Sequence, residues 1–491
     1  MTVSTTSPVG ILAFGAYVPR RRLQRSAIHA VNKWYAPGLG GSAKGEKAIG
    51  NWDEDPITMA VEAGRDCLTG LDRASVDALR LASTTLPNAD RSNSGVVKEA
   101  LTLSDQLEAT DAGGSQKAGT SALLQALSSD QTSLVIASEQ RLARAASPAE
   151  MSYGEAAASL LVGTGDVIAN CIGRYSVTVD FVDHFRESGA RFDYDWESRW
   201  VRDEGIVKIA GQAIIDALDA AGVEPSSVTH SAIAISAPGA AAKLIKSAGI
   251  DPKTLVDNQI ATIGHTGTAY PLMLLVAALQ KAQPGDRILV TSFGQGTDVL
   301  VFEVTDAITK LPARLGVEGW LAEKVEDTNY QRYLFHRGLV ETETGMRAEG
   351  DQKQPGTTLY RQRKTVLGLV GGKCTETGAV QFPKSDISVS PNNRTQFTQE
   401  DYPMAELPVR VVTYTADSLT FSPDPPTFYG NIDFEGGGRL TAEFTDVTAN
   451  DVEVGQEMRM VFRIKSKDTL RGFTKYFWKA APRPTSQRKG G

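Results

Sequence analysis

The chain opens with "VGILAFGAYVP", an apolar run that ends at Pro19 and has the pattern of a buried strand. "ITMAVEAGRDCLTGL" spaces its apolar residues three and four apart, which predicts a helix with Gly70 as its stop. "ALRLASTTLP" and "LEATDAGGS" read as short strands running into loops. "AGTSALLQALSS" is an Ala- and Leu-rich buried helix. "SLVIASEQ", "EAAASLLVG" and "DVIANCIG" are further strands, the last two around Gly163 and Gly165. Alternation of strands and helices predicts an α/β sheet with helices on its faces.

The pattern then recurs. "GIVKIAGQAIIDALDAAGV" is amphipathic at helical spacing, "THSAIAISAP" a strand, "PLMLLVAALQKA" a helix, and "DRILVTSFGQGTDVLVFEV" two strands joined at a Gly-rich turn. Two similar halves follow, placed at 1–175 and 176–307. Residues 308–350 are charged and aromatic, with helical stretches such as "WLAEKVEDTNYQRYLF", and read as a connector. Past Gly350 the chain turns β-rich ("VRVVTYTADSLTF", "TFYGNIDFEGGGRLTAEFTDV", "EMRMVFRI") with closely spaced Pro and Gly turns. That pattern predicts a small β-barrel over 351–485, followed by a disordered tail at 486–491.

Composition narrows the class. At 491 residues with 41% hydrophobic and 22% charged positions, the chain has material for several globular domains. Its net charge of −7 argues against nucleic acid as a partner. No apolar run reaches the roughly 20 residues of a spanning helix, and "MTVSTTSPVG" lacks the basic and apolar regions of a signal peptide. Cys67, Cys171 and Cys374 are too dispersed for a disulfide framework, so the expected compartment is the reducing cytoplasm.

Several stretches resemble a known family. "WDEDPITMAVEAG", "QKAGTSAL", "IATIGHTGTAYPL" and "PGDRILVTSFGQG" are similar to the thiolase superfamily, and within it to 3-hydroxy-3-methylglutaryl-CoA synthases and ketoacyl synthases III. "GKCTETGAVQFP", "VTYT", "GNIDFEGGGRL" and "YFWKA" resemble the OB-fold acyl-CoA-associated domain found beside such enzymes. The resemblance implies a five-layered α-β-α-β-α core of two similar halves plus a C-terminal all-β OB-fold barrel. It also implies a coenzyme A thioester as substrate and no separate cofactor.

The chemistry of the family is largely missing. In the synthases a Cys in a C-K-A-G-T-A-A stretch takes the acyl group; here Gln116 stands there, and an amide is no nucleophile. Ser115 is its nearest hydroxyl but needs a base. Thr84 replaces the family's acid/base Glu, Ser236 replaces the His of a His-x-Pro, and Ser292 replaces the second thiolase Cys. His265 falls where synthases carry Asn and thiolases carry a catalytic His, so of the usual set only it exchanges protons near neutral pH. Gln in place of Cys also resembles ketosynthase-like decarboxylases, whose chemistry leans on two His residues; the motifs supply only His265. Gly294 and Gly296 sit in the turn where the family sets backbone donors near the thioester oxygen, and Tyr270 is placed to reach the same cavity.

The family's zinc ribbon is also degraded. Its C-x-x-C-G survives as Cys374-Thr375-Glu376-Thr377-Gly378, and the downstream Cys pair is read as replaced within "SDISVS". One thiolate cannot hold a tetrahedral zinc, so no metal is expected. "DHFRESGARFDYDWESRWVRDEG" reads as a pocket-shaping or partner-facing segment or a solvated connector, and the basic run in 351–373 as a site for CoA phosphates or simply exposed charge.

Two functions remain in view. In one, the protein makes or breaks a C–C bond in an acyl-CoA through His265 and backbone donors, without an acyl-enzyme. In the other, it is an inactive acyl-CoA-binding subunit supporting a catalytic thiolase. A homodimer and a hetero-oligomer with such a thiolase are both compatible with the resemblance.

Overall fold

The computed structural model describes residues 8–350 and 355–487. The start of the predicted barrel (351–354), part of its basic run and most of the predicted tail lie outside the described residues. Two compact units emerge. The first takes 1–50, 59–95 and 104–339, and the second takes 51–58, 96–103 and 340–491.

The first unit is built on nine strands: β1 (Val9–Tyr17), β2 (Ala78–Ala82), β3 (Glu108–Ala112), β4 (Ser133–Glu139), β5 (Ala156–Thr164), β6 (Ala169–Thr178), β7 (His230–Ala234), β8 (Arg287–Phe293) and β9 (Gly296–Val304). They run in the order β7-β8-β9-β6-β1-β5-β4-β2-β3. From the middle outward the same pattern repeats. β1 pairs antiparallel with β5, β5 antiparallel with β4, and β4, β2 and β3 are parallel. β6 pairs antiparallel with β9, β9 antiparallel with β8, β8 parallel with β7, and Ser231 of β7 bridges to Leu255 in parallel. Within the sheet the halves meet where Gly10 and Ile11 of β1 pair with Asn170 and Ala169 of β6. By pairing, β6 therefore opens the second half.

Helix α1 (Ala118–Ala126) packs on β2 and β4; helix α2 (Gly211–Ala221) packs on β6 and β9. Helix α3 (Tyr270–Leu279) is apolar on every face and buries all its residues, touching α1, β1 and β5 of one half and β7 and β8 of the other. A helix apolar all round needs this middle position. On the far side of β1, Ala63 and Cys67 of the helix Pro56–Cys67 press against Gly15. The result is the layered thiolase-like α/β arrangement. Part of the stretch read as a connector packs here too: Leu315, Val317 and Trp320 join the central core, and Trp320 donates to the Ala16 carbonyl at 2.9 Å.

The second unit is all-β apart from short helices. Thr415–Asp417, Thr427–Phe434, Val409–Val411, Glu457–Asp468 and Phe473–Pro482 form one antiparallel sheet in that spatial order, with Arg439–Glu443 added to Thr427–Phe434. Phe444 then bridges to Ala480 and closes the barrel. Phe462, Tyr476 and Trp478 fill it, with Phe462 stacked on Tyr476 at 5.5 Å. A buried charge cluster lies in the same unit. Asp53 accepts from Lys479 Nζ at 3.0 Å and Thr445 Oγ1 at 3.0 Å, and Arg463 lies 3.8 Å away. Burial pushes the Asp53 carboxyl up, but Lys479 and Arg463 together hold it below the usual range.

The ribbon corrects one expectation. Cys374 Sγ faces Thr395 Oγ1 and Thr398 Oγ1, each at 3.2 Å, and the Thr377 amide at 3.4 Å. The downstream pair is thus replaced by Thr395 and Thr398, not within "SDISVS". That stretch instead pairs back onto the following one, Ser388 N donating to Thr395 O at 3.0 Å. One thiol and three threonines, closed by their own hydrogen bonds, do not fit a zinc ion. Among the described residues no group of three or more His, Cys, Asp or Glu could hold a metal, and no helix is long and apolar enough to cross a membrane.

Close backbone approach sets the site. Gly154 N donates to His265 O at 3.1 Å, His265 N donates to Ser152 O at 2.7 Å, and a Cβ on Gly154 would stand 2.0 Å from the Ile263 carbonyl. Gly154→Ala is therefore expected to destabilise the protein by about 1–3 kcal/mol, read as a lower Tm in thermal melts; an unchanged Tm would contradict the packing. Lys479→Met leaves Asp53 without its nearest cation and should cost roughly 3–5 kcal/mol, measured by urea unfolding.

Candidate active site

Gln116 and Lys117 close the turn that leads into α1. The amide side chain of Gln116 is buried (8% exposed), and its Oε1 has no hydrogen-bond partner among the described residues. Two cavities meet at this residue. One, of about 660 Å³, is bordered by Thr84, Ser115, Leu142, Arg186 and Gln295. The other, of about 620 Å³, is bordered by Arg141, Tyr153, Ser236, His265, Tyr270 and Ser292. Gln116 and His184 are the two side chains that border both.

A carboxylate hub fixes the turn from below. Asp298, fully buried on β9, accepts from Lys117 Nζ (3.0 Å), Ser176 Oγ (2.6 Å), Thr120 Oγ1 (2.8 Å) and Ser121 Oγ (2.9 Å). Ser292 Oγ lies 2.7 Å from Thr120 Oγ1, so this hydroxyl belongs to the hub as well as to the cavity wall. Four donors on one buried carboxylate offset the cost of its desolvation.

His265 follows a turn in which Gln259, at φ +57°, gathers the amides of Thr262, Ile263 and Gly264 on its carbonyl. Its ring lies 4.9 Å from that of Tyr270. Two donors, Arg141 Nη1 and the Gly267 amide, stand 3.4 Å from Nδ1. Nδ1 is therefore the acceptor nitrogen, and the proton of the neutral ring sits on Nε2. Burial, then the Arg141 charge, pull the imidazole down to about 3. The expectation that His265 titrates near neutral pH is corrected: a fixed cation beside a buried ring disfavours imidazolium.

Arg141 organises this wall. Its guanidinium donates to Asp193 Oδ2 at 3.0 and 2.7 Å and to Tyr153 OH at 2.7 Å. Asp193 also holds Arg186 at 2.9 Å, and although burial raises its carboxyl, Arg141 and Arg186 bring it below the usual range. Asp193 comes from the charged and aromatic segment after β6, which borders both cavities with His184, Phe185 and Arg186 on one side and Asp195 and Trp196 on the other. That segment shapes the pocket.

The other sequence candidates are placed as follows. Ser115 Oγ donates to Gly294 O at 2.7 Å, with no base among its hydrogen-bond partners. Thr84 borders the first cavity, but its amide and hydroxyl both reach Glu139 Oε2, at 3.2 and 3.1 Å. A carboxylate thus arrives beside Thr84 from the end of β4. The Gly294 amide donates to Gly296 O at 3.0 Å, inside the hairpin turn, so Gly294 contributes packing against Ser115 and Gln116 rather than a free donor. Gly296, at φ +116°, packs against Val177 and lies outside both cavity linings. Ser236 is exposed at the rim of the second cavity. Tyr270 borders the second cavity but spends its hydroxyl on Asn258 O at 2.8 Å.

Sequence reading missed Arg141, Glu139, Asp193 and His184. Glu139 and Arg141 close the run "SLVIASEQRL" at the C-terminal end of a strand parallel to β2, where ligands of α/β sheets collect, and that was the available signal. His184 had none, since its segment carries no motif. The second imidazole that the motifs lacked is supplied by this segment.

Known proteins agree with this architecture. Residues 218–301 match the family model "3-Oxoacyl-[acyl-carrier-protein (ACP)] synthase III C terminal", and 410–463 match "ChsH2, C-terminal OB-fold domain". A hydroxymethylglutaryl-CoA synthase of Methanosarcina mazei is 29% identical over 349 residues, spanning 68% of this chain and 99% of that protein. One from Pyrococcus horikoshii is 28% identical over 348 residues, 68% and 93% of the two chains. Among solved structures, an HMG-CoA synthase complexed with CoA superposes with a TM-score of 0.58 at 16% identity, over 71% of this chain and 94% of that one. A cysteine-to-serine variant of Xanthomonas campestris OleA with bound lauric acid and lauroyl-CoA gives 0.54 at 19% identity, over 61% and 99%. Over about two thirds of its length the chain is thus similar to hydroxymethylglutaryl-CoA synthases, with a thiolase-like fold, and it carries a C-terminal segment similar to the OB-fold domain of ChsH2.

Proposed function

We propose that the protein binds an acyl-CoA thioester across the two cavities and takes part in forming or cleaving a C–C bond without a covalent acyl-enzyme. The observation that carries this is Gln116: a buried amide oxygen without a partner, where the two cavities meet. A buried acceptor left unpaired is costly unless a ligand supplies a donor, and the pantetheine arm of a CoA thioester carries amide N–H groups. The two cavities suit a ligand with two arms joined at one polar group, which is the shape of a thioester. Similarity to synthases solved with CoA or an acyl-CoA supports the same ligand class.

His265 serves as a donor rather than a base in this reading. Its neutral ring carries the proton on Nε2, and such an N–H stabilises charge that develops on a carbonyl oxygen. The amide of Gln116 cannot take the acyl group, so the ping-pong route is closed.

A second reading has its own support. Ser115, Thr84 and Ser292 are all consumed by internal hydrogen bonds, as in a subunit that holds acyl-CoA for a catalytic thiolase, whether in a homodimer or a hetero-oligomer. Turnover separates the two. Mass spectrometry on a panel of acyl-CoAs and β-hydroxyacyl-CoAs is expected to show product with the chain alone, and His265→Ala should lower kcat about 100-fold; absence of product from every substrate would leave the binding-subunit reading. Intact-mass analysis after acetyl-CoA should show no adduct on the wild type, whereas Gln116→Cys, placed beside the start of α1, should gain one acetyl group. An adduct on the wild type would refute the non-covalent route.

A further inference from the structure

The cavity junction holds a second imidazole that no motif assigns. His184 lies on a short hairpin in which His184–Phe185 pairs antiparallel with Tyr194–Asp195. Phe185 packs against Tyr194 at 5.4 Å, which holds the hairpin closed. His184 Nδ1 stands 3.0 Å from Asp183 Oδ2, while Asp183 Oδ1 is buried without a hydrogen-bond partner. A carboxylate 3.0 Å from Nδ1 offers a counter-charge when the ring takes up a proton at Nε2. The two imidazoles of the second cavity thus stand beside opposite charges: His265 beside the Arg141 guanidinium, and His184 beside the Asp183 carboxylate.

We propose that His184 is the general base of this site and acts on the carbon next to the thioester carbonyl. The inference rests on the acyl-CoA reading given above. Its geometric basis is that His184 shares with Gln116 alone the position between the two cavities. In the step, the Cα–H bond breaks and the proton passes to His184 Nε2. The electron pair moves into a Cα–C double bond, and the carbonyl oxygen becomes an enolate oxygen that accepts from His265 Nε2–H. No oxidant, reductant or covalent intermediate is needed. Asp183 and Asp193 face the imidazolium that forms, and His265 stays neutral beside it. The substrate class is an acyl-CoA with at least one hydrogen on its α-carbon, and the enolate is the nucleophile for bond formation or the product of cleavage.

Isotope exchange tests the step without a second substrate. Acetyl-, butyryl- and octanoyl-CoA are incubated with the full-length protein in D2O, and deuterium at the α-carbon is followed by mass spectrometry. Binding of each is measured separately by calorimetry. The wild type is expected to exchange, and His184→Ala to lose about 100-fold of that rate at saturating acyl-CoA, with partial recovery on adding imidazole. Circular dichroism and Tm confirm that the variant is folded. Retained exchange in His184→Ala, or a loss that imidazole does not restore, overturns the assignment. Wild-type binding without exchange overturns the base while leaving acyl-CoA binding intact. Absence of binding by all three overturns the acyl-CoA reading itself.

Discussion

One buried cation holds the site together. The Arg141 guanidinium reaches Asp193, Tyr153 and His265 at once. A charge in a dry wall must be paired, and here its partners come from three separate parts of the first unit. The pairing anchors the segment after β6 over the cavities. It also fixes the tautomer of His265 and keeps that ring neutral. Removing the cation would leave Asp193 to Arg186 and Tyr153, loosen the wall and change what the imidazole can do.

The thiolase-like architecture brings the loops of the site together. The turn before α1, the hairpin between β8 and β9 and the loop after Gln259 converge because the two halves repeat one strand order around α3. Gln116 puts an amide at the turn before α1, and the hydroxyls of Ser292 and Thr84 are tied into the Asp298 and Glu139 networks. The ribbon of the second unit follows the same logic, with hydrogen bonds among Cys374, Thr395 and Thr398 where a metal would need four ligands. A scaffold held by strand pairing and apolar packing tolerates such changes, because neither depends on the side chains at the loop tips.

Local sequence determined a great deal. The apolar runs set the strands, the all-round apolar "YPLMLLVAALQ" set the central helix, and the short turn-bounded strands after Gly350 set the barrel. The motif positions Gln116 and His265 both border the second cavity. These features are legible because periodicity and turn chemistry act over a few residues. Tertiary structure alone decided the rest. It placed Glu139 beside Thr84, His184 beside Gln116 and Thr395 beside Cys374, and it set the proton on Nε2 of His265. Those outcomes depend on which distant segments the fold brings within hydrogen-bond reach, and on the burial and neighbouring charge that follow, none of which a local pattern encodes.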